Sequence, residues 1–197
     1  IPWDDDLDIS MMAEDKEKLF EIFGKLDEFV IEEVYWSDGL LLRCPRIRYA
    51  DESKNGCIDI FLWERADNEP TGDKGLWEKR QKYVRMKEEE FARLKPSLKK
   101  SLFAGETIKD PEDKKRIDDL FDRIYEKQRQ ECQGSGNTIY GQIDMWFEAG
   151  RWVGVYNAED VFPLQKMKFE TIEMPVPKDY DKFLTMQYGD WLALPSK

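Results

Sequence analysis

The chain has 197 residues, a formal net charge of −11 and a pI near 4.7. Its hydrophobic residues make up 41% of the sequence, with seven Trp, eight Tyr and eleven Phe, which is enough to bury the core of one domain. A strongly acidic surface repels phosphate backbones and argues against broad nucleic-acid binding, but a metal ion that reverses the local field still allows a small anionic substrate.

The chain contains no histidine, and this restricts its chemistry. Ser-His-Asp, Cys-His and His-ligated zinc sites are excluded, so catalysis would rest on carboxylates, Lys, Arg, Tyr or a hard metal ion. Cys44, Cys57 and Cys132 are widely spaced without a CxxC pair, which predicts neither a zinc knuckle nor a disulfide framework. No apolar run approaches the roughly 18 to 20 residues that span a bilayer.

A strand and a helix are predicted at the start of the chain. Residues 1–12 alternate acidic and apolar side chains around Leu7 and Ile9, as a strand buried on one face does. Acidic residues enrich a first helical turn at 14–17, and apolar residues follow at helical spacing through 19–30. The helix is therefore expected to continue to Val30.

Turn residues divide the next segment into strands. Ser37-Asp38-Gly39 separates runs at 33–36 and 40–44, which predicts a β-hairpin. A further short strand is expected at 47–49.

A central strand is predicted at 57–63, after the turn signal Asn55-Gly56. This run is apolar except for Asp59, and a lone buried carboxylate costs roughly several kcal/mol unless it is paired or bound to a metal. Asp59 is therefore expected to have a partner. That partner is either the N-terminal acidic strand or a nearby arginine, Arg46 or Arg48.

The second half is predicted to be helical and then rich in strands. A loop is expected at 67–75 and a charged helix as far as Lys95, where Pro96 interrupts it. Asp110 and Pro111 have the residue types of a helix cap and a first helical position. Apolar residues then recur at helical spacing and predict a buried stripe made of Ile117, Leu120, Phe121, Ile124 and Tyr125.

The remaining predicted elements are short. Strands are expected at 140–147, 151–156 and 167–172, and a helix at 180–188 is closed by Gly189. This order favours an α+β or mixed α/β fold. No GxGxxG motif follows a strand, which argues against a doubly wound dinucleotide fold.

The N-terminal acidic strand has the clearest chemistry. Because alternate residues on a strand share a face, Asp4, Asp6 and Asp8 would project together. Carboxylates this close repel one another strongly, and a cation between them removes the repulsion. Mg²⁺ prefers oxygen ligands and keeps positions open for phosphate oxygens. The pattern predicts a divalent metal site that orients a phosphate, which Asp59 joins if its strand is adjacent.

Other interpretations of the acidic run stay open. Acidic runs are often solvated loops or helix starts. A calcium loop of the EF-hand kind starting at Asp4 would have Ile9 where Gly is required and Asp15 where Glu is preferred, so the run fits that motif poorly.

Several segments, taken in order, resemble the LicD family, which includes phosphorylcholine transferases and the fukutin-related ribitol-phosphate transferases. Residues 1–9 are close to the characteristic acidic signature of that family, and Ile58-Asp59-Ile60-Phe61 is similar to its second acidic strand. The C-terminal segments that carry the resemblance are 160–164, 169–170, 176–181, 188–191 and 194–195. The ordered set covers both ends of the chain and is more specific than any one motif.

The resemblance implies a nucleotidyltransferase-like α+β fold, with a mixed sheet and flanking helices, and a Mg²⁺ or Mn²⁺ ion as cofactor. Asp6 and Asp8 would be the paired metal ligands, Asp59 the third carboxylate, and Asp4 would lie just outside the pair. Asp6, Asp8 and Asp59 are accordingly the expected catalytic residues.

The implied reaction transfers a phospho-alcohol such as phosphocholine from a CDP-linked donor to a glycan hydroxyl. The acceptors implied are cell-surface glycans, such as lipopolysaccharide or teichoic acid. In this reaction the acceptor hydroxyl attacks the distal phosphorus and CMP leaves, while Asp59 orients or deprotonates the hydroxyl. The expected substrate-binding residues are Trp3, Arg48, Tyr188, Asp190 and Trp191.

Three aromatic residues have two interpretations. Trp146, Trp152 and Tyr156 either pack in the core or cage a quaternary ammonium group by cation–π attraction.

Residues 1–197 are expected to form one LicD-like domain, with 64–132 as a helical insertion or lobe. An upstream helix and a Gly-containing segment that help to hold the nucleotide are expected to be missing from the start. The sequence leaves the location open between the cytoplasmic or membrane-associated side in a bacterium and the Golgi lumen in a eukaryote. Two other functions stay open, a non-catalytic glycan- or choline-binding module and a nucleotidyltransferase that makes the activated donor.

Overall fold

The computed structural model describes residues 7–37, 41–66, 72–104, 108–132, 136–141 and 154–193. Its strands are β1 Leu7–Met12, β2 Phe29–Ser37, β3 Leu41–Tyr49, β4 Cys57–Ala66, β5 Thr138–Tyr140, β6 Val155–Asn157, β7 Gln165–Phe169 and β8 Ile172–Val176. Its helices are α1 Lys16–Phe23, α2 Gly72–Ala92, α3 Pro96–Phe103, α4 Pro111–Cys132, α5 Ala158–Val161 and α6 Tyr180–Tyr188. A 3-10 turn at Ala13–Asp15 joins β1 to α1. The α+β prediction is confirmed.

The main sheet is mostly antiparallel and has one parallel pair. Its path is β2-β3-β4-β5-β6, and β1 pairs with β4 in parallel. The predicted hairpin is confirmed as β2 and β3, whose register runs from Phe29 opposite Tyr49 to Ser37 opposite Leu41. Strands β7 and β8 form a separate two-stranded sheet.

Helices α2, α3 and α4 cover one face of the main sheet. The predicted apolar stripe of α4 is buried there, because Ile117, Leu120, Phe121 and Ile124 recur at helical spacing. The residues buried in this larger core are Tyr35, Tyr83, Leu94, Leu98, Leu102, Ile117, Leu120, Phe121, Ile124 and Tyr140. Helices α2 to α4 therefore supply seven of these ten residues.

The buried side chain of Arg43 links the main sheet to α4. The Arg43 guanidinium on β3 bonds the Asp122 carboxylate of α4 at 2.7 Å and lies 5.2 Å from the centres of the Phe121 and Tyr125 rings. Its second acidic neighbour is Glu33 of β2, at 3.3 Å. Burial alone would lower the pKa of Arg43, but the nearby carboxylates outweigh it and raise the pKa.

A smaller core lies on the other face. Trp63, Ile139, Tyr156, Ala158 and Val161 are buried together. The partly buried side chains against them are Met12 of β1, Phe162, and Phe183 and Met186 of α6. Successive strand residues face opposite sides, so Ile139 in this core and Tyr140 in the larger one show that the two cores lie on opposite faces of the sheet.

Two helix boundaries correct the sequence-based expectations. The predicted helix to Val30 is wrong, because α1 ends at Phe23, Gly24 follows as its C-cap and Phe29 begins β2. The Phe29 ring stacks on Tyr49 of β3 at 5.4 Å, so pairing in the sheet overrides the helical spacing. The loop predicted to Gly75 is also wrong from Gly72 onward, because α2 begins there, and 67–71 lie outside the described residues.

Two strand boundaries also differ. The strands expected at 40–44 and 47–49 are one strand, β3, which continues through the buried Pro45. The strand expected at 167–172 is divided between β7 and β8 by a turn at Glu170, which has a positive φ of 51°.

The two predicted helix ends with the strongest sequence signals are confirmed. The Asp110 carboxylate accepts the backbone N–H groups of Glu112 and Asp113, each at 2.9 Å, and α6 ends before Gly189, whose φ is 73°. Most residues of the two further strands expected at 140–147 and 151–156 lie outside the described ranges; Tyr140 ends β5, and Val155 begins β6.

Candidate functional site

The candidate site lies where β1 and β4 run side by side. The parallel register places Asp8 opposite Asp59, so their side chains lie on the same face of strands about 4.8 Å apart. Asp8 is exposed, whereas Asp59 is 6% exposed. Two carboxylates from distant segments of the sequence are thus neighbours.

Asp59 has a second neighbour on the other side of β4. Arg46 of β3 lies opposite it in the antiparallel register. The Arg46 guanidinium donates from Nε to Oδ1 and from Nη2 to Oδ2 of Asp59, both at 2.6 Å. This bidentate contact raises the pKa of Arg46 and provides the counter-charge that a buried carboxylate needs. Of the two arginines expected as partners, Arg46 is the one that pairs.

A buried thiol lies close to this group. Burial first, and then the nearby Asp59 carboxylate, raise the pKa of Cys44 to about 12, and the charge of Asp8 adds to the effect. The thiol is therefore protonated at neutral pH and is not a nucleophile. Cys44 is two residues from Arg46 on β3, so the register and the alternation of side chains place it on the same face of the sheet as Arg46, Asp59 and Asp8.

The remaining N-terminal predictions cannot be placed beside this pair, because Trp3, Asp4 and Asp6 lie outside the described residues. Arg48 is on the same strand and face as Arg46. Its Nε donates to Glu32 at 2.7 Å and its Nη1 to the Tyr49 carbonyl at 3.1 Å.

The C-terminal candidates lie at the end of α6. Tyr188 is 62% exposed, Asp190 is exposed, and the Trp191 indole N–H donates to the Asp181 carboxylate at 3.1 Å. The hydrogen bond of Trp191 is thus made within the C-terminal segment, to a residue of α6. Helix α6 does pack on Trp63, which shares a face with Asp59 about 13 Å along β4. The C-terminal segment and the two carboxylates therefore occupy the same side of the sheet.

The one described member of the proposed aromatic cage is a core residue. The Tyr156 ring stacks on Phe183 at 4.6 Å and lies 5.1 Å from Trp63, and it is 6% exposed. Its contacts support the core interpretation. Trp146 and Trp152 lie outside the described residues.

The donor set suits a hard divalent cation but is incomplete in the part of the chain that the structure describes. Within it, no group of three His, Cys, Asp or Glu side chains could hold a metal ion. Asp8 and Asp59 provide two sets of carboxylate oxygens, which Mg²⁺ and Mn²⁺ prefer. Further protein ligands would come from outside the described residues, where the predicted ligands Asp4 and Asp6 lie.

Sequence reasoning did not anticipate the row of charges across the strands. Glu32, Arg46, Asp59 and Asp8 occupy matching positions on β2, β3, β4 and β1. Symmetric pairing about the predicted Ser37-Asp38-Gly39 turn would place Glu32 opposite Cys44, whereas the observed register places it opposite Arg46, so the turn signal did not identify this row.

The comparison with protein families bears directly on this site. The family model described as LicD/FKTN/FKRP, nucleotidyltransferase domain, matches residues 1–113, more than half of the chain and a range that contains both Asp8 and Asp59. The chain belongs to the LicD family. Its membership suggests a phospho-alcohol or glycan transferase, since LicD proteins are generally transferases. No curated protein and no solved structure matches the chain.

The match identifies the family but does not establish the fold class. The nucleotidyltransferase-like architecture stays a prediction, as does the expectation that 64–132 are an insertion. In the described part of the chain, none of the helices is both long enough and apolar enough to cross a membrane.

Proposed function

We propose that this LicD-family chain transfers a phospho-alcohol from a CDP-linked donor to a glycan hydroxyl, releasing CMP, with Mg²⁺ or Mn²⁺ as cofactor. The observation that carries the proposal is the in-register pairing of Asp8 with Asp59, within the range that the family model matches. Family membership supports the transferase class, and the paired carboxylates support metal-assisted chemistry at a phosphate.

Asp8 and Asp59 would hold the ion, together with Asp6, and Asp4 would lie just outside. When bound there, a divalent cation supplies electrostatic stabilisation of the phosphate oxygens of the donor. Hard oxygen ligands are the donors that such a cation prefers.

The two described carboxylates differ in environment, and we assign them different roles. Asp59 is buried and held by both donor groups of Arg46, which keeps its carboxylate in one orientation. Asp8 is exposed, so a substrate can reach it. The family resemblance implied Asp59 as the residue that orients or deprotonates the acceptor hydroxyl. We propose Asp8 for this role instead, because the exposed carboxylate can take the hydroxyl proton as oxygen attacks the distal phosphorus and CMP leaves.

The position of α6 supports a substrate site on the same face of the sheet. Tyr188, Asp190 and Trp191 follow or end this helix, and they would contact the alcohol or the glycan. Arg48 and Trp3 remain the proposed contacts at the N-terminal side. Arg48 already bonds Glu32, so it would have to share or exchange this partner on binding a phosphate.

The test is CMP release from CDP-choline and CDP-ribitol in the presence of Mg²⁺ and glycan acceptors. We expect Asp8→Asn and Asp59→Asn each to lower turnover by about 100-fold or more, because each removes a charged oxygen ligand. Asp119→Asn is the matched control, since it makes the same change on the exposed side of α4, and it should retain turnover.

The outcome also separates the alternatives. Release of pyrophosphate from CTP and a phospho-alcohol would identify an enzyme that makes the donor. Binding of choline or glycan without turnover would identify a binding module. Undiminished CMP release in both the Asp8 and Asp59 variants, with thermal unfolding unchanged, would remove these residues from the site.

A further inference from the structure

Three charged side chains lie side by side on adjacent strands at the candidate site. In the order β1, β4, β3 they are Asp8, Asp59 and Arg46, so Asp59 is in the middle. Because β4 pairs with both neighbours at this residue, Arg46 and Asp8 approach Asp59 from opposite sides. The carboxylate is thus contacted by a cation on one side and lies beside an anion on the other.

The Arg46 contact fixes the Asp59 carboxylate without using all of its acceptor positions. An ionised carboxylate has about four lone-pair positions. The guanidinium uses one on each oxygen, through two N–H···O bonds of 2.6 Å. Two parallel bonds from a planar group leave little freedom of rotation, which a single bond from a lysine ammonium does not achieve.

Charge balance also requires a partner at this position. Asp59 is 6% exposed and lies beside another carboxylate, so without Arg46 the chain would bury an uncompensated negative charge. Arg46 is itself partly exposed, with 33% of its side chain accessible. The cation of the pair is thus less desolvated than the anion.

The adjacent arginine shows that this role is specific to one position. Arg48 lies on the same face of β3, but its bonds go to Glu32 and to the Tyr49 carbonyl. The two arginines on this face of β3 therefore pair with different carboxylates, Arg46 with Asp59 and Arg48 with Glu32.

We infer that Arg46 is a positioning residue, which holds the Asp59 carboxylate in the orientation that a divalent cation shared with Asp8 requires. This inference rests on the proposed function and adds to it a residue outside the set of metal ligands. Arg46 acts through Asp59 and contacts no substrate in this account. Its fork geometry, in addition to its charge, is the property that matters.

The test measures Mn²⁺ affinity directly, by electron paramagnetic resonance titration of the chain with Mn²⁺ alone. Arg46→Lys keeps the positive charge but removes the fork, and we expect it to weaken Mn²⁺ binding by about 10- to 100-fold, the usual effect of losing a group that orients a metal ligand. Arg129→Lys is the matched control, because Arg129 contacts another β4 carboxylate, Glu64, at 3.4 Å. It should bind Mn²⁺ as the unaltered chain does.

A second readout uses turnover. If Arg46 acts on the metal site, Arg46→Lys should need a higher Mg²⁺ concentration for half-maximal CMP release, and saturating Mg²⁺ should restore most of the rate. A purely structural role would lower the unfolding temperature without moving this concentration.

The outcomes separate the inference from the proposed function. Mn²⁺ binding that is lost in Asp59→Asn but unchanged in folded Arg46→Lys would overturn the role of Arg46 alone. Mn²⁺ binding that is absent from the unaltered chain, or unaffected by Asp59→Asn, would overturn the metal site and the inference with it. Should Arg46→Lys not fold, Arg46→Gln is measured in its place, and unchanged affinity there overturns the inference equally.

Discussion

Individual side chains at the candidate site owe their properties to register as well as to residue type. Asp59 could pair with either of two arginines on the neighbouring strand, and the sequence pattern correctly required a partner. The register of β3 against β4 determines which arginine pairs with Asp59. It places Arg46 opposite Asp59, and Arg48 bonds Glu32 instead. The spacing of residues along one strand contains no information on its alignment with another, so this choice could not be made from the residues alone.

A buried tyrosine gives a residue-scale prediction about alkaline stability. Burial raises the pKa of Tyr156 to about 12 from an ordinary value near 10. Because folding favours the protonated phenol, its stabilising effect is complete below about pH 10 and is lost as the pH rises through 12. A shift of this size corresponds to about 2–3 kcal/mol at most.

Tyr156→Phe should therefore make the free energy of unfolding less dependent on pH between 10 and 12. The measurement is urea denaturation at pH 8 and at half-unit steps above pH 9.5. Between pH 10 and 12, the free energy of unfolding should fall more steeply with pH for the unaltered chain than for the Phe variant. The difference between the two should therefore change steadily in favour of the variant. A constant difference at every pH would mean that the phenol is not buried in the way described.

Amphipathic helices were the elements that the sequence predicted best. The stripe of α4 and its Asp110 cap follow from local spacing and local hydrogen bonding, both of which the structure confirms. Helix α1 was predicted too long because its apolar spacing continues into β2. Phe29 instead belongs to β2, where its ring stacks on Tyr49 of β3. Helical periodicity cannot detect such a contact between distant segments.

Truncation of a central side chain on α4 should test how this helix holds the sheet. Phe121 is fully buried, lies near the Tyr35 ring at 6.1 Å and contacts the Arg43 guanidinium. Phe121→Ala should lower the free energy of unfolding by about 3–5 kcal/mol, through lost burial and the cavity left behind.

Chemical denaturation followed by circular dichroism provides the measurement. Asp119→Ala, on the exposed side of the same helix, is the control and should change stability by no more than about 0.5 kcal/mol. A loss below about 1 kcal/mol for Phe121→Ala would contradict the packing of α4 against the sheet.

At the scale of the whole molecule, the decisive feature is the parallel pairing of β1 with β4. It joins segments separated by α1 and by the β2–β3 hairpin, and it brings Asp8 beside Asp59. The sequence predicted both strands and both carboxylates, and the LicD resemblance supplied the expectation that they converge. Strand patterns alone do not specify which strands are neighbours, so the convergence itself needed the structure.

The same pairing organises the two faces of the sheet. Helices α2 to α4 stabilise one face, and the carboxylates share the other face with α6. The proposed transferase chemistry thus lies opposite the main core, where a polar substrate can approach without disturbing it.

The most direct test of this account is a crystal structure of the chain with Mn²⁺, located by its anomalous scattering. We predict one strong anomalous peak about 2.1 Å from carboxylate oxygens of both Asp8 and Asp59, and its loss in crystals of Asp8→Asn. A peak bound elsewhere, or no peak at Mn²⁺ concentrations that support turnover, would contradict the central claim that these two carboxylates hold the catalytic metal.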